Sequence, residues 1–268
     1  MMRKCIGCLL LLLSLSACQA EATRVLRLAT TTSTHDSGLM DEILPLFEQE
    51  FGVEVEVIAV GTGEALRLGE SGDVDVVLVH ARAKEDEFVA NGYGVNRHDV
   101  MYNDFVILGP VGNPAGIERD EDVIVALRKI ADAEAIFVSR GDGSGTHLRE
   151  ISLWQEVGIE PDGEWYQSVG QGMGSALTIA EERQAYILSD RGTYLKRMAD
   201  GLDLVLLLEG NGRLKNPYGV IAVNPELHEG IEAELTEQFI SWITSPKTQA
   251  AIDAYQINGE HLFFSNAN

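Results

Sequence analysis

Past residue 18 the chain contains no cysteine. Its three cysteines, Cys5, Cys8 and Cys18, all fall at the start of a 268-residue sequence. Cys5 and Cys8 have CxxC spacing, but they lie inside a leader, which makes a metal or redox role implausible. The one cysteine left after the leader cannot form an internal disulfide, so stability has to come from a packed core. Positive charge is scarce too: 20 Lys and Arg stand against 42 Asp and Glu, a formal net charge of −22. With no basic patch to neutralise phosphates, nucleic acid is excluded as a partner. Docking on an anionic membrane surface is disfavoured for the same reason. There is no internal repeat and no low-complexity segment after the leader.

Apolar residues make up 45% of the chain, enough for a sizeable core. The first residues read as a secretory signal over 1–17. Arg3 and Lys4 form a basic start, Leu9 to Leu13 a short apolar run, and Leu15-Ser16-Ala17-Cys18 the end. The run is too short for a stable membrane span. "LSAC" resembles the bacterial lipobox, which implies a lipidated Cys18 and a lipid anchor to the membrane. Cleavage removes two positive charges and no acid, taking the net charge from −22 to −24.

Strands and helices then alternate. "VLRLAT" (25–30) predicts a strand and 36–52 an amphipathic helix, with Leu39, Met40, Ile43, Leu44, Phe47 and Phe51 at three- and four-residue steps. Asp36 or Ser37 is the expected cap and Gly52 the stop. Strands at 53–60 and 74–80 and helices at 63–71 and 82–92 complete a βαβαβ series. That series predicts a parallel sheet with helices on both faces. Two long extended segments, 99–110 and 216–225, bracket a second alternating block, and two helices over 231–256 follow. The expectation is an α/β fold of two lobes, each a sheet flanked by helices, joined by two crossover strands. Lobe 1 would span 24–104 plus 223–268 and lobe 2 would span 105–222, with a ligand in the cleft between them.

Four strand-to-helix junctions carry small residues and hydroxyls: Thr30 to Thr34, Gly61-Thr62-Gly63, "SRGDGSGTH" (139–147) and Gly170 to Gly174. Helix N-termini offer unpaired N–H donors and partial positive charge, so four of them together would hold an anion despite the acidic chain. One alone would be an ordinary cap. Arg140 ends a strand, and its planar donors suit an oxyanion. Asp142 has two readings: turned onto Arg140 it orients the guanidinium, and turned into the cleft it favours a protonated anion. Thr31, Thr62, Ser144 and Thr146 are candidate hydroxyl donors. A P-loop is excluded because no lysine stands near 139–147, and GxGxxG and GxSxG are absent. His35, His80 and His147 lie at element ends without HxxxH or HExxH spacing, which favours capping or packing over a metal.

"LATTTSTHDSGLM", "AVGTGEAL", "YNDFVILGP", "SRGDGSGTH" and "GQGMGSAL" resemble the tungstate-binding proteins of bacterial ABC importers, the TupA family. The resemblance runs in order along most of the chain after the leader. It implies a two-lobed periplasmic-binding-protein fold of type II and a tetrahedral oxyanion, tungstate with molybdate as an alternative, in the cleft. The implied ligand residues are Thr31, Thr62, Arg140 and Thr146, with Thr32, Ser33 and Ser144 as looser candidates. It further implies no catalysis, no cofactor, no metal beyond the oxyanion itself, and an ABC permease as partner. The place would be the periplasm or another extracytoplasmic compartment, and the state monomeric. Phosphate-binding proteins carry a similar loop, so phosphate is the alternative ligand.

Overall fold

The computed structural model describes residues 23–257 and 259–267. The leader and Cys18, on which the lipid-anchor expectation rests, lie outside the described residues. The chain opens with β1 (Val25–Thr31), α1 (Thr32–Asp36), α2 (Leu39–Phe51), β2 (Glu54–Val60), α3 (Thr62–Ser71), β3 (Val76–Val79) and α4 (Arg82–Ala90). The 17-residue strand β4 (Gly94–Pro110) follows. Next come α5 (Val123–Asp132), β5 (Phe137–Ser139), α6 (Gly145–Val157), β6 (Tyr166–Ser168), α7 (Met173–Glu182), β7 (Tyr186–Asp190), α8 (Arg191–Ala199) and β8 (Leu204–Leu208). The return strand β9 (Lys215–Val223) leads to α9 (Ala233–Ile243) and α10 (Pro246–Ala254). Three short strands close the chain, β10 (Gln256–Ile257), β11 (Glu260–His261) and β12 (Phe264–Ser265).

The helix expected over 36–52 starts later, as α2 at Leu39, and a separate short helix, α1, precedes it. α1 is a five-residue helix capped by Thr31, and Gly38, at φ +81, breaks the chain before α2. A left-handed residue there is tolerated readily only by glycine. The N-cap of α2 is therefore Gly38, although Ser37 Oγ still accepts from the Leu39 N–H at 3.3 Å. The apolar stripe is as expected: Leu39, Met40, Ile43, Leu44 and Phe47 are buried. Their burial contributes on the order of 10 kcal/mol before the entropy of ordering is charged against it.

β1 lies between β2 and β3, parallel to both, and β5 lies between β6 and β7, again parallel. The parallel pairing expected for β1, β2 and β3 is present. β9 and β4 run antiparallel to their neighbours, so the sheet is mixed, in the order β2-β1-β3-β9-β4-β7-β5-β6. β4 pairs with β9 over Gly94 to Asp104 and with β7 and β8 over Phe105 to Pro110. The core divides at the same point. Two apolar clusters draw on residues 26–101 and 218–263, and two on residues 105–214. In each group the parallel strands end on one edge, so their strand-to-helix turns open together.

Candidate functional site

Sheet register brings the predicted junctions into pairs. Thr31 stands opposite Val60, so the turn into α1 lies beside the turn into α3. Ser139 stands opposite Ser168, so Arg140 lies beside the turn into α7. Two backbone bonds fasten that second pair: the Val169 N–H donates to Ser139 O at 3.0 Å and the Gln171 N–H to Arg140 O at 3.1 Å. Gly141 is required there. It sits at φ +65, and a β-carbon added to it would collide with Ser168 Oγ.

Thr31 is 3% exposed, and its Oγ1 lies 2.6 Å from Thr34 Oγ1 while accepting from the Thr34 N–H at 3.3 Å. Thr32 and Ser33 are exposed on α1. Thr62 is the half-buried first residue of α3, whose N-cap Gly61 offers no side-chain cap. Ser144 caps α6 by accepting from the His147 N–H, and Thr146 is buried in the first turn. Among the described residues, the Thr62 and Thr146 hydroxyls make no side-chain hydrogen bond. Gly172 caps α7 without a side chain, leaving its first N–H groups open.

Asp142 is turned onto Arg140. Its Oδ2 accepts from Arg140 Nε at 2.7 Å, and its Oδ1 accepts from the Ser144 N–H at 3.0 Å. Burial works against the carboxylate, but Ser144 and Arg140 hold it below the usual carboxylate range. Both of its oxygens are thus engaged within the loop. The two Nη groups of Arg140 have no hydrogen-bond partner among the described residues, and the side chain is 20% exposed. His147 Nδ1 accepts from the Gly143 N–H at 2.9 Å, closing the glycine turn. No cluster of His, Cys, Asp and Glu able to hold a metal occurs among the described residues.

Two groups near this site escaped the sequence. Glu150 lies on the inner face of α6, 2% exposed, and accepts from Tyr166 Oη at 2.7 Å. Burial pushes its carboxyl up to about 7, although Tyr166, Ser139, Trp154 and the Arg140 backbone favour the ionised form. An acid in the stripe Thr146, Glu150, Leu153, Trp154, Val157 was the available signal. The second is Arg191, first residue of α8, which donates to Asp104 Oδ2 at 2.7 Å and Glu209 Oε2 at 2.7 Å. Asp104 stands where β4 passes from one group of strands to the other, so this pair braces the crossing. Of two surface cavities, of about 520 and 550 Å³, the first borders the turn into α7 through Ser168, Val169 and Gln171, and neither is lined by Thr31, Thr62, Arg140 or Thr146.

Residues 18–247 match a family model described as the PBP superfamily domain. A mixed sheet flanked by helices with turns opening on one edge fits that class. The chain is 49% identical over 254 residues to the tungstate-binding protein TupA of Peptoclostridium acidaminophilum, covering 93% of this chain and 88% of the relative. It is 42% identical over 239 residues to TupA of Campylobacter jejuni, covering 88% of each chain. The solved structure of TupA from Desulfovibrio alaskensis superposes with a TM-score of 0.89 at 44% identity, covering 92% of this chain and all of that one. The chain belongs to the TupA family of the PBP superfamily.

Proposed function

We propose that this chain is an extracytoplasmic solute-binding protein that captures tungstate between two lobes and delivers it to an ABC permease. Residues 24–104 with 223–268 form one lobe and 105–222 the other. The return crossing lies in β9, whose residues from Tyr218 to Val223 already pack with the first. Thr31 and Thr62, with Thr32 and Ser33 beside them, donate from one wall. Arg140, Ser144 and Thr146 donate from the other. The observation that carries this reading is the Arg140–Asp142 pair. A carboxylate whose two oxygens already accept from Arg140 and from the Ser144 N–H is a poorer acceptor for the proton of an anion such as phosphate near neutral pH. What the site presents is donors: free Nη groups, hydroxyls and open helix ends.

A bare tetrahedral dianion satisfies such a set without giving up a proton. Tungstate and molybdate have longer metal–oxygen bonds than sulfate or phosphate and fill a larger cage. Fixed donors on both walls mean that lobe closure stabilises the complex. Binding and release involve no bond making, so the protein acts as a carrier rather than an enzyme, in keeping with relatives named as binding proteins. It works as a monomer, held to the membrane through lipidated Cys18. Lipid labelling and membrane fractionation lost in Cys18→Ser test that anchor. Titration calorimetry with tungstate, molybdate, sulfate and phosphate tests the ligand. Tight tungstate binding is expected, and tight phosphate binding without tungstate binding would transfer the site to phosphate.

A further inference from the structure

A chain of buried polar side chains crosses both strands that connect the two groups of the sheet. His80, just beyond β3, places Nδ1 3.1 Å from Asn216 Oδ1. Asn216 Nδ2 donates to Asn103 Oδ1 at 2.8 Å, and Asn103 Nδ2 donates to Tyr218 Oη at 3.2 Å. The Tyr218 phenol lies against the Thr34 hydroxyl, which in turn meets Thr31 Oγ1 at 2.6 Å. Asn103 and Asn216 are each 7% exposed, Tyr218 1% and Thr34 0%, so their polar atoms must pair with one another.

The two amide donors in this chain run one way. Asn216 spends its N–H on Asn103, which leaves its oxygen as the acceptor facing His80. His80 must therefore carry its hydrogen on Nδ1. Asn103 donates into the phenol oxygen, and at the far end the Thr31 and Thr34 hydroxyls share a hydrogen bond in which either can donate. Thr31 Oγ1 also accepts from the Thr34 N–H and lies 3.2 Å from Ser33 Oγ.

With Nδ1 turned to Asn216, the Cε1 corner of the His80 ring, which adjoins Nε2, faces the anion loop. A β-carbon added at Gly145, the first residue of α6, would stand 3.6 Å from His80 Cε1. His80 is half-buried and packs tilted, at 34°, against the Tyr218 ring with centroids 4.7 Å apart. We propose that His80 is an anion-contacting residue of the cleft whose Nε2 takes a proton from solvent as the oxyanion binds and donates it as a hydrogen bond. The proposal rests on the anion-site reading above.

The surroundings give the direction of the coupling. Burial lowers the His80 pKa, while the Asn216 bond and the charge of Asp190, at the end of β7, raise it; the net shift is downward. Other titratable groups nearby are Tyr218, whose phenol burial pushes up; Glu85, which accepts from the Ala81 N–H at 2.8 Å and is paired with Arg97; the Arg140–Asp142 pair of the facing loop; and His147, whose Nδ1 is engaged by Gly143. In the free protein His80 is therefore neutral near pH 7, with a lone pair on Nε2. A dianion beside that lone pair repels it and attracts the protonated ring, so binding raises the pKa. Tungstate affinity should then fall roughly tenfold per pH unit between the free and bound pKa values.

Calorimetry of tungstate binding at pH 7.5, in two buffers of different ionisation enthalpy, reads the proton directly. Wild type should take up close to one proton per anion. His80→Asn keeps a donor toward Asn216 but removes Nε2; it should bind roughly tenfold or more weakly, with no uptake. Binding without uptake in wild type, or uptake that persists in His80→Asn, overturns the role of His80 and leaves the anion site standing. Absence of tungstate binding by wild type removes both. Nitrogen-15 spectra of wild-type histidines provide a readout that needs no stable variant. Nδ1 of His80 should be protonated throughout, and Nε2 should become protonated only with tungstate. A bare Nε2 in the complex overturns the proposal.

Discussion

Replacing Arg140 with alanine should weaken tungstate binding more than replacing any single threonine of the site. The structure sets the size. One guanidinium nitrogen, Nε, is held by Asp142, and both Nη groups remain for the anion. Two charge-assisted bonds at about 1.5–3 kcal/mol each give about 3–6 kcal/mol, and partial exposure favours the lower end. That is roughly a hundredfold or more in Kd. A threonine hydroxyl supplies one bond, worth about 1.5 kcal/mol or roughly tenfold. Arg140→Ala also leaves Asp142 as an unneutralised carboxylate in the loop, so the double variant with Asp142→Asn should recover part of the loss. Calorimetry on Arg140→Ala, Thr31→Ala, Thr62→Ala and Thr146→Ala, each checked by thermal melting, measures the series. Equal losses across the four would refute the reasoning, because backbone N–H groups and helix dipoles would then carry the affinity.

Glu150 makes stability depend on pH. Its folded carboxyl titrates near 7 against an ordinary value of 4.5, so the folded chain binds the proton more tightly. Stability contributed by this group is therefore full below about pH 4.5 and falls by about 3 kcal/mol as pH rises through 7. Urea unfolding of Glu150→Gln at pH 5 and pH 8 should show that this fall is gone; an unchanged difference from wild type contradicts it. Asp104→Asn should cost about 3 kcal/mol by leaving buried Arg191 with only the half-exposed Glu209. Urea unfolding reads this, and a loss under about 1 kcal/mol would show that Glu209 alone suffices.

Hydrophobic period and turn chemistry made most of the elements legible. The stripe Leu39 to Phe47 and the alternation in β2 fixed their types, because each pattern has one partner face to bury. The mixed sheet was not legible, since the antiparallel placement of β9 beside β3 and β4 pairs residues 111 to 146 apart in sequence. The start of α2 was placed at 36 rather than 39 because Gly38 could equally have been a first-turn residue; only its left-handed backbone sets the boundary. At the site, local signals sufficed to single out Thr31 and Ser144 as hydroxyls at strand-to-helix junctions and to place the glycine turn around Arg140; that they cap α1 and α6 emerged only with the structure. The orientation of Asp142 was undecided because both of its partners, Arg140 and the Ser144 N–H, lie within two residues. Either choice satisfies local geometry until the fold fixes the loop. The chain from His80 to Thr31 was invisible, because its members are single Asn, Tyr and Thr residues whose pairing exists only across β4 and β9.

Crystals of the protein grown with tungstate test the central claim most directly, because tungsten scatters anomalously. A single strong peak is predicted between the end of β1 and the α6 turn, within hydrogen-bonding reach, through its oxygens, of Arg140, Thr31 and Thr146. A peak in another part of the molecule, or an empty cleft at saturating tungstate, would contradict it.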